Sequence, residues 1–144
     1  MKLTRTLVTC GAAVVTALSV AACATGNGTL SPEEEVAAQV GAWAAAMEAH
    51  DLDAVMAMHS EDFEHYEYGT KQSYGEYMGQ VIEDGLFDGL VIITDDMDIE
   101  VDGTRAAVYP IDMQAAFGGA TVELVFEEEA DGVWRITTMD VQLF

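Results

Sequence analysis

The sequence predicts an α+β domain in which helices come first and an antiparallel sheet follows. In the first half of the chain, apolar residues recur every three or four positions after clear helix-start signals, as is typical of amphipathic helices. In the second half, β-rich runs alternate with glycine-containing dipeptides that suit tight hairpin turns. Such a sheet must bury one face, and the helices are expected to cover it.

The first helix is expected to begin at Ser31-Pro32 and to end near His50. Ser31 suits the N-cap, Pro32 suits the first helical position, and Glu34 completes a capping box. One face of this helix is apolar and carries Val36, Val40, Trp43 and Met47.

Two further helices are expected on either side of a short strand. Asp51 is the expected N-cap of the second helix, and the aromatic run from Phe63 to Tyr68 predicts the strand. Gly69-Thr70 then leads into a third helix that should stop near Gly85. The apolar residues of these two helices are Leu52, Val55, Met56, Tyr74, Tyr77, Met78, Val81 and Ile82.

The rest of the chain predicts a four-stranded antiparallel meander. Its turn dipeptides are Asp102-Gly103, Gly118-Gly119 and Asp131-Gly132. The expected strands are Leu90 to Val101, Arg105 to Ala116, Ala120 to Glu129 and Val133 to Leu143.

The N-terminal segment from Met1 to Ala22 has the pattern of an export signal, because a basic start precedes a long uncharged run. The residues Val20-Ala21-Ala22-Cys23 resemble the lipobox of bacterial lipoproteins. That resemblance implies cleavage before Cys23 and attachment of lipid to its thiol, which makes the membrane a partner. We therefore expect a signal at 1–22, a flexible tether at 23–30 and one domain at 31–144.

The same resemblance predicts where the protein resides. Ala24 stands where an Asp would retain a lipoprotein in the inner membrane, so we expect the cell envelope, and the outer membrane facing the periplasm if the cell is Gram-negative. Cys10 would leave with the signal, and lipid would occupy the thiol of Cys23. Redox chemistry, cysteine nucleophiles and thiolate metal sites are then excluded for the domain.

The chain is strongly acidic, with 26 Asp and Glu against five Lys and Arg. From Cys23 onward only Lys71, Arg105 and Arg135 remain as fixed cations. Because binding to nucleic-acid phosphates depends on basic side chains, nucleic acid is excluded as a partner. The chain also lacks a nucleophile elbow and a phosphate loop, and no cofactor is expected.

The order of elements resembles the nuclear-transport-factor-2-like superfamily, which includes SnoaL-like domains. The similar pieces are His50 to Ala54, Glu61 to Phe63, Tyr68 to Lys71 and Gly132 to Ile136. The resemblance extends over residues 33–144 and implies a cone-shaped fold whose mouth can hold a ligand. It implies an interaction or binding module, with a small apolar ligand in the cone or a homodimer through the sheet, or alternatively an acid/base enzyme of isomerase, cyclase or dehydratase type.

Four residues have the right chemistry for such an acid/base site, namely Asp62, Tyr66, Tyr77 and Asp112. Strict alternation places Asp112 on the same face as Ala106 and Val108, so that it interrupts an apolar ladder. If that face lined the cone, burial would raise the pKa of Asp112 and make it a candidate base or acid. The alternatives are that Asp112 reaches solvent or pairs with Arg105 or Arg135.

His59, Asp62 and His65 form a His-x-x-Asp-x-x-His pattern, whose side chains can bind zinc or iron(II) if they converge. The alternative is that the histidines cap the helix or face water. A cluster of aromatic side chains also has two interpretations, since it can line a pocket for an apolar ligand or pack in the core. Its members are Phe63, Tyr66, Tyr68, Tyr74 and Tyr77.

Overall fold

The computed structural model describes residues 29–144, which form three helices and seven strands. The expected signal, Cys23 and most of the expected tether lie outside these residues. The elements are α1 Pro32–Glu48, α2 Leu52–Ala57, β1 Glu64–His65, β2 Gly69–Thr70, α3 Lys71–Glu83, β3 Val91–Ile93, β4 Asp98–Asp102, β5 Arg105–Ala115, β6 Gly118–Glu128 and β7 Trp134–Leu143.

The large sheet is antiparallel throughout. β3 and β4 both pair with β5, and β6 and β7 follow in order, so the sheet has five strands. The helices cover its inner face, which confirms the predicted α+β architecture. Within the described residues, no helix combines the length and the apolar character needed to cross a membrane.

The ends of α1 are set by local hydrogen bonds. At the start, Ser31 Oγ accepts from the Glu34 backbone N–H and the Glu34 carboxylate accepts from the Ser31 N–H, which confirms the predicted capping box. At the end, His50 adopts a positive φ of 55°, and the Asp51 N–H donates back to the carbonyl of Ala46. This is a Schellman stop with histidine in the position that glycine usually takes.

The end of α3 uses the same device with a glycine. Gly85 has a φ of +72°, and the Leu86 N–H donates to the carbonyl of Val81. The predicted stop at Gly85 is therefore confirmed, because this left-handed conformation costs a glycine little.

One hydrophobic core joins the helices to the inner face of the sheet. Within the described residues, its buried members lie between Val36 and Met139. The sheet contributes Ala106, Val108, Ile111, Met113, Ala120, Val122, Leu124, Phe126, Trp134, Ile136 and Met139.

Two hydrogen bonds attach α1 to the sheet near its two ends. The indole Nε1 of Trp134 donates to Glu35 at 3.0 Å, and the Ile92 backbone N–H donates to Glu48 at 2.8 Å. Both partners on α1 are carboxylates, and a hydrogen bond to a charged acceptor is stronger than one to a neutral acceptor. The helix is therefore fixed over the core by polar contacts as well as by apolar packing.

Three strand predictions were wrong in detail. The expected strand from Leu90 to Val101 is broken into β3 and β4, because the chain turns between them with the Met97 N–H donating to the Thr94 carbonyl. The expected strand from Phe63 to Tyr68 is extended only over β1, since residues 66–68 form a turn. The turn expected at Gly118-Gly119 lies at residues 116–117, and β6 begins at Gly118.

Gly119 shows why a glycine belongs inside β6 rather than in the turn. A Cβ built at this position would lie 2.6 Å from the ring of Phe144. A larger side chain at this position would therefore have to displace the exposed ring of Phe144, which the glycine leaves in contact with the sheet.

The predicted face of Asp112 was also wrong. Between Val108 and Ile111 the register of β5 against β6 shifts, so that Tyr109 and Pro110 oppose one residue. This bulge reverses the alternation, which places Ile111 and Met113 in the core and turns Asp112 to the outer face.

Candidate functional site

The interior of the cone is filled by large side chains. The largest of these side chains are each at most about 2% exposed. They are Trp43, Trp134, Phe63, Phe126, Ile111, Leu124 and Ile136. They come from α1, from the connection after α2 and from β5, β6 and β7, so both layers contribute.

The four candidate acid/base residues do not meet in this interior. Asp112 is half-buried on the outer face of the sheet, where its Oδ1 accepts from Thr121 Oγ1 at 2.7 Å. Asp62 is exposed, and the side chain of Tyr66 is 73% exposed. Tyr77 stands at the surface and stacks on Tyr68 with ring centroids 3.7 Å apart.

The alternative pairing of Asp112 with an arginine is also wrong. Arg105 lies 3.7 Å from Glu127, and Arg135 is held by Glu129 and Asp131. Asp112 therefore has a neutral hydroxyl partner and lies on the side of the sheet away from the core.

The histidines of the His-x-x-Asp-x-x-His pattern each have a structural partner. His59 is 1% exposed and its Nδ1 lies 2.9 Å from the Val55 carbonyl, to which it must donate. His65 Nδ1 instead accepts from the backbone N–H groups of Glu67 and Tyr68 and so holds the turn after β1. Among residues 29–144 no three side chains of metal-ligating type are placed to hold a metal ion.

The aromatic cluster is mostly packing. Phe63 and Tyr74 are buried, and their ring centroids are 5.1 Å apart. His65 stacks against Tyr74 at 5.5 Å and against Tyr66 at 4.7 Å. Burial raises the pKa of the Tyr74 hydroxyl, so this group remains neutral and contributes as an aromatic surface.

Five charged residues, including two of the three Lys and Arg side chains of the described chain, line a surface groove. It lies between the end of α2, the start of α3 and the β6–β7 hairpin, and its volume is about 390 Å³. We call it the cation groove, and its lining residues are Ala57, His59, Glu61, Lys71, Glu129, Asp131 and Arg135. A second depression of about 470 Å³ adjoins it and shares Glu61 and Lys71 with it.

The two cations of the groove are bound differently. Arg135 donates from Nη1 to Glu129 and Asp131 and from Nη2 to Asp131, so its guanidinium is held from two sides. In the part of the chain that the structure describes, the Lys71 ammonium pairs with Glu61 alone, at 2.5 Å, and the Glu61 side chain is 91% exposed. The Lys71 ammonium lowers the pKa of the Glu61 carboxyl through this hydrogen bond.

His59 forms the inner wall of the groove. Burial lowers its pKa from 6.5 to about 4, the hydrogen bond to Val55 opposes that shift, and the charge of Lys71 adds to it. The imidazole is therefore neutral at pH 7, with its proton on Nδ1 and a lone pair on Nε2. That Nε2 atom is buried and has no hydrogen-bond partner among residues 29–144.

Sequence reasoning did not identify this groove. Its first and last residues, Ala57 and Arg135, are 78 positions apart in the sequence, and only the fold places them together. One signal was available, because the groove contains two of the three cations in the described chain.

The fold belongs to a known structural class. Three helices packed on a curved antiparallel sheet form the α+β cone of nuclear-transport-factor-2-like (NTF2-like) proteins, and solved structures of that class confirm it. At 12–19% identity these similarities show the fold alone.

Three solved structures illustrate the similarity. An NTF2-like protein of unknown function from Pseudomonas putida has a TM-score of 0.64 at 12% identity, covering 76% of this chain and 84% of its own. A candidate dehydratase of the NTF2-like family from Streptomyces avermitilis has a TM-score of 0.65 at 14% identity, covering 78% and 95%. A candidate ketosteroid isomerase from Shewanella frigidimarina has a TM-score of 0.61 at 19% identity, covering 73% and 92%. No family model and no curated protein matches the sequence.

Proposed function

We propose that this protein is a lipid-anchored, extracytoplasmic interaction module of the SnoaL-like type, whose cone is filled rather than open. The observation that carries the proposal is the interior, where the large side chains of Trp43, Phe126 and Trp134 are buried. An acid/base enzyme needs a carboxylate and a donor within reach of one reacting atom. Asp112 faces the opposite side of the sheet, so the carboxylate that the sequence favoured cannot take this part.

The anchoring part of the proposal rests on the sequence around Cys23. The match to a lipobox needs an aliphatic residue three positions before the cysteine and small residues immediately before the cysteine. Val20 meets the first condition, and Ala21 and Ala22 meet the second. Two or more acyl chains anchor a protein stably, whereas one holds it only marginally. The helix α1 starts at Pro32, so a short polar segment would separate the lipid from the domain.

Replacing Cys23 by Ser is expected to abolish incorporation of a labelled fatty acid and to release the processed protein from membranes. The physical reason is that the lipid is expected to be attached to the thiol of Cys23, which serine lacks. Metabolic labelling with an alkyne fatty acid, followed by membrane fractionation, measures both effects. The matched control is Cys10→Ser, which removes the other thiol and should leave labelling and fractionation unchanged. Acyl label retained in the Cys23→Ser protein would disprove the anchor.

The filled interior is tested with benzene, which binds apolar cavities of about 150 Å³ in proteins. Titration of the full chain should produce no saturable shift of methyl resonances on the inner face of the sheet. The control is Phe126→Ala, which removes a fully buried ring and should create a saturable site. Leu124→Ala serves if that variant does not fold. Saturable binding to the unaltered domain would show an open cone and overturn this part of the proposal.

A further inference from the structure

We propose that the turn of residues 66–68 is a pH-sensitive latch, which the neutral imidazole of His65 holds closed and the protonated imidazole releases. The turn joins β1 to β2, and its residues reach the surface of the protein. The inference therefore goes beyond the proposed function and depends neither on the anchor nor on the filled interior.

Two hydrogen bonds fix the protonation state of the ring in the closed turn. The backbone N–H groups of Glu67 and Tyr68 both donate to Nδ1 of His65, at 3.1 Å and 3.3 Å. A ring nitrogen accepts only through a lone pair, so Nδ1 is unprotonated and the neutral ring has its proton on Nε2. A second proton can bind only at Nδ1, where it would face two N–H donors. The closed turn and the protonated ring are therefore incompatible.

The turn can respond to protonation without disturbing the core. The His65 ring is 4% exposed and stacks on Tyr66 and on Tyr74, with ring centroids 4.7 Å and 5.5 Å away. Glu67 in the turn is exposed. If the turn stayed closed over a protonated Nδ1, three N–H groups would meet without an acceptor, which costs more than leaving the two backbone groups to water. We therefore expect the turn to open while the rest of the fold persists.

Opening changes the surface beside α3. In the closed turn, Tyr68 stacks on Tyr77 of α3 with ring centroids 3.7 Å apart. Movement of the turn separates these two rings, so that their faces become available to another molecule. The latch thus presents an aromatic surface under acidic conditions and covers it at neutral pH.

The surroundings of His65 set the direction of the pH dependence. Its own turn, α3 and β7 supply the titratable groups that face it, whereas β2 has none; these groups are Tyr66, Glu67, Tyr68, Tyr74 and Asp140. Burial lowers the pKa of His65 below its ordinary value of 6.5, and the negative charges of Glu67 and Asp140 oppose that shift only in part. The turn is therefore closed at neutral pH, and it opens as the pH falls through this lowered pKa.

The test follows the full chain in detergent micelles by NMR from pH 7 to pH 4. We expect Nδ1 of His65 to be the unprotonated nitrogen at pH 7, and the amide resonances of Glu67 and Tyr68 to shift with the same midpoint as the ring. Protection of the Tyr68 N–H against hydrogen exchange, relative to an unstructured peptide at the same pH, should fall by about tenfold or more, as loss of one hydrogen bond implies. Methyl resonances of Val122 and Leu124 in the core should not follow that midpoint.

Two variants assign the transition to one ring. In His65→Asn, Oδ1 stands where Nδ1 stood along the side chain, so it can accept the same two N–H groups but does not titrate. The pH-dependent loss of protection at Tyr68 should disappear, while any effect of the Glu67 carboxyl or of His59 remains. The matched control is His50→Asn, because asparagine tolerates the positive φ of that residue, and it should leave the transition unchanged.

Four results would each overturn the latch. They are a proton on Nδ1 at pH 7, amides of Glu67 and Tyr68 that do not respond when the ring titrates, the same transition in His65→Asn, and core methyl resonances that change together with the turn. If His65→Asn does not fold, the ring and amide resonances of the unaltered chain decide the question.

Discussion

Replacing Trp134 by Ala is expected to lower the free energy of unfolding by about 3–5 kcal/mol. The indole is 2% exposed in the core, and its Nε1 donates to Glu35 on α1. The substitution therefore leaves a large cavity and also detaches α1 from β7. Because domains of this size are stable by only about 5–15 kcal/mol, a large share of the total would be lost. Urea unfolding of the full chain measures the difference.

Two further variants separate the causes of that loss. Trp134→Phe keeps an aromatic ring in the core but removes the Nε1 donor and part of the buried ring volume, so we expect a smaller loss than for Trp134→Ala. Val133→Ala changes the neighbouring exposed residue and should cost less than about 1 kcal/mol. A Trp134→Ala protein as stable as Val133→Ala would contradict the assignment of Trp134 to the core.

The local signals in the sequence predicted the helices well. Ser31 with Glu34 and Gly85 act through neighbours within five residues, so their conformations depend on little besides the nearby chain. The same holds for the left-handed conformation of Gly132 in the last hairpin. What these signals specify is where helices and turns begin and end.

The face of the sheet on which Asp112 lies could not be predicted in this way, because it depends on how the residues of β5 pair with those of β6. One additional residue in β5 at Tyr109-Pro110 reverses the orientation of every side chain after it. Pro110 was the available signal, since proline has no N–H for the sheet and is found at bulges. The assumption that side chains alternate strictly over residues 106–113 leaves no room for a bulge, and it therefore placed Asp112 on the wrong face.

The cation groove lay beyond sequence reasoning for a related reason. His59, Lys71 and Arg135 occupy the connection after α2, the first turn of α3 and the start of β7. They meet because the Ser60 N–H donates to the Ile136 carbonyl and the Ile136 N–H donates to the Met58 carbonyl, which attaches the end of α2 to the edge of β7. No spacing in the sequence encodes that pairing.

The buried His59 also predicts how stability depends on pH. Burial lowers the pKa of this imidazole in the folded state to about 4, whereas the unfolded chain binds the proton near 6.5. Between these values the unfolded state holds more protons, so the contribution of His59 to stability is complete above pH 6.5 and is lost as pH falls towards 4. At about 1.4 kcal/mol per unit, the loss amounts to about 3 kcal/mol. Urea unfolding at pH 7, 6, 5 and 4 measures it.

The control is His59→Asn, in which the amide can still donate to the Val55 carbonyl but does not titrate. Relief of repulsion among the many carboxylates acts in the opposite direction as pH falls, and it is the same in both proteins. The stability of the native chain relative to His59→Asn should therefore decrease by about 3 kcal/mol between pH 7 and pH 4. Parallel pH profiles would mean that His59 is accessible to water or gains a partner on protonation, and would contradict the burial of Nε2 on which this prediction rests.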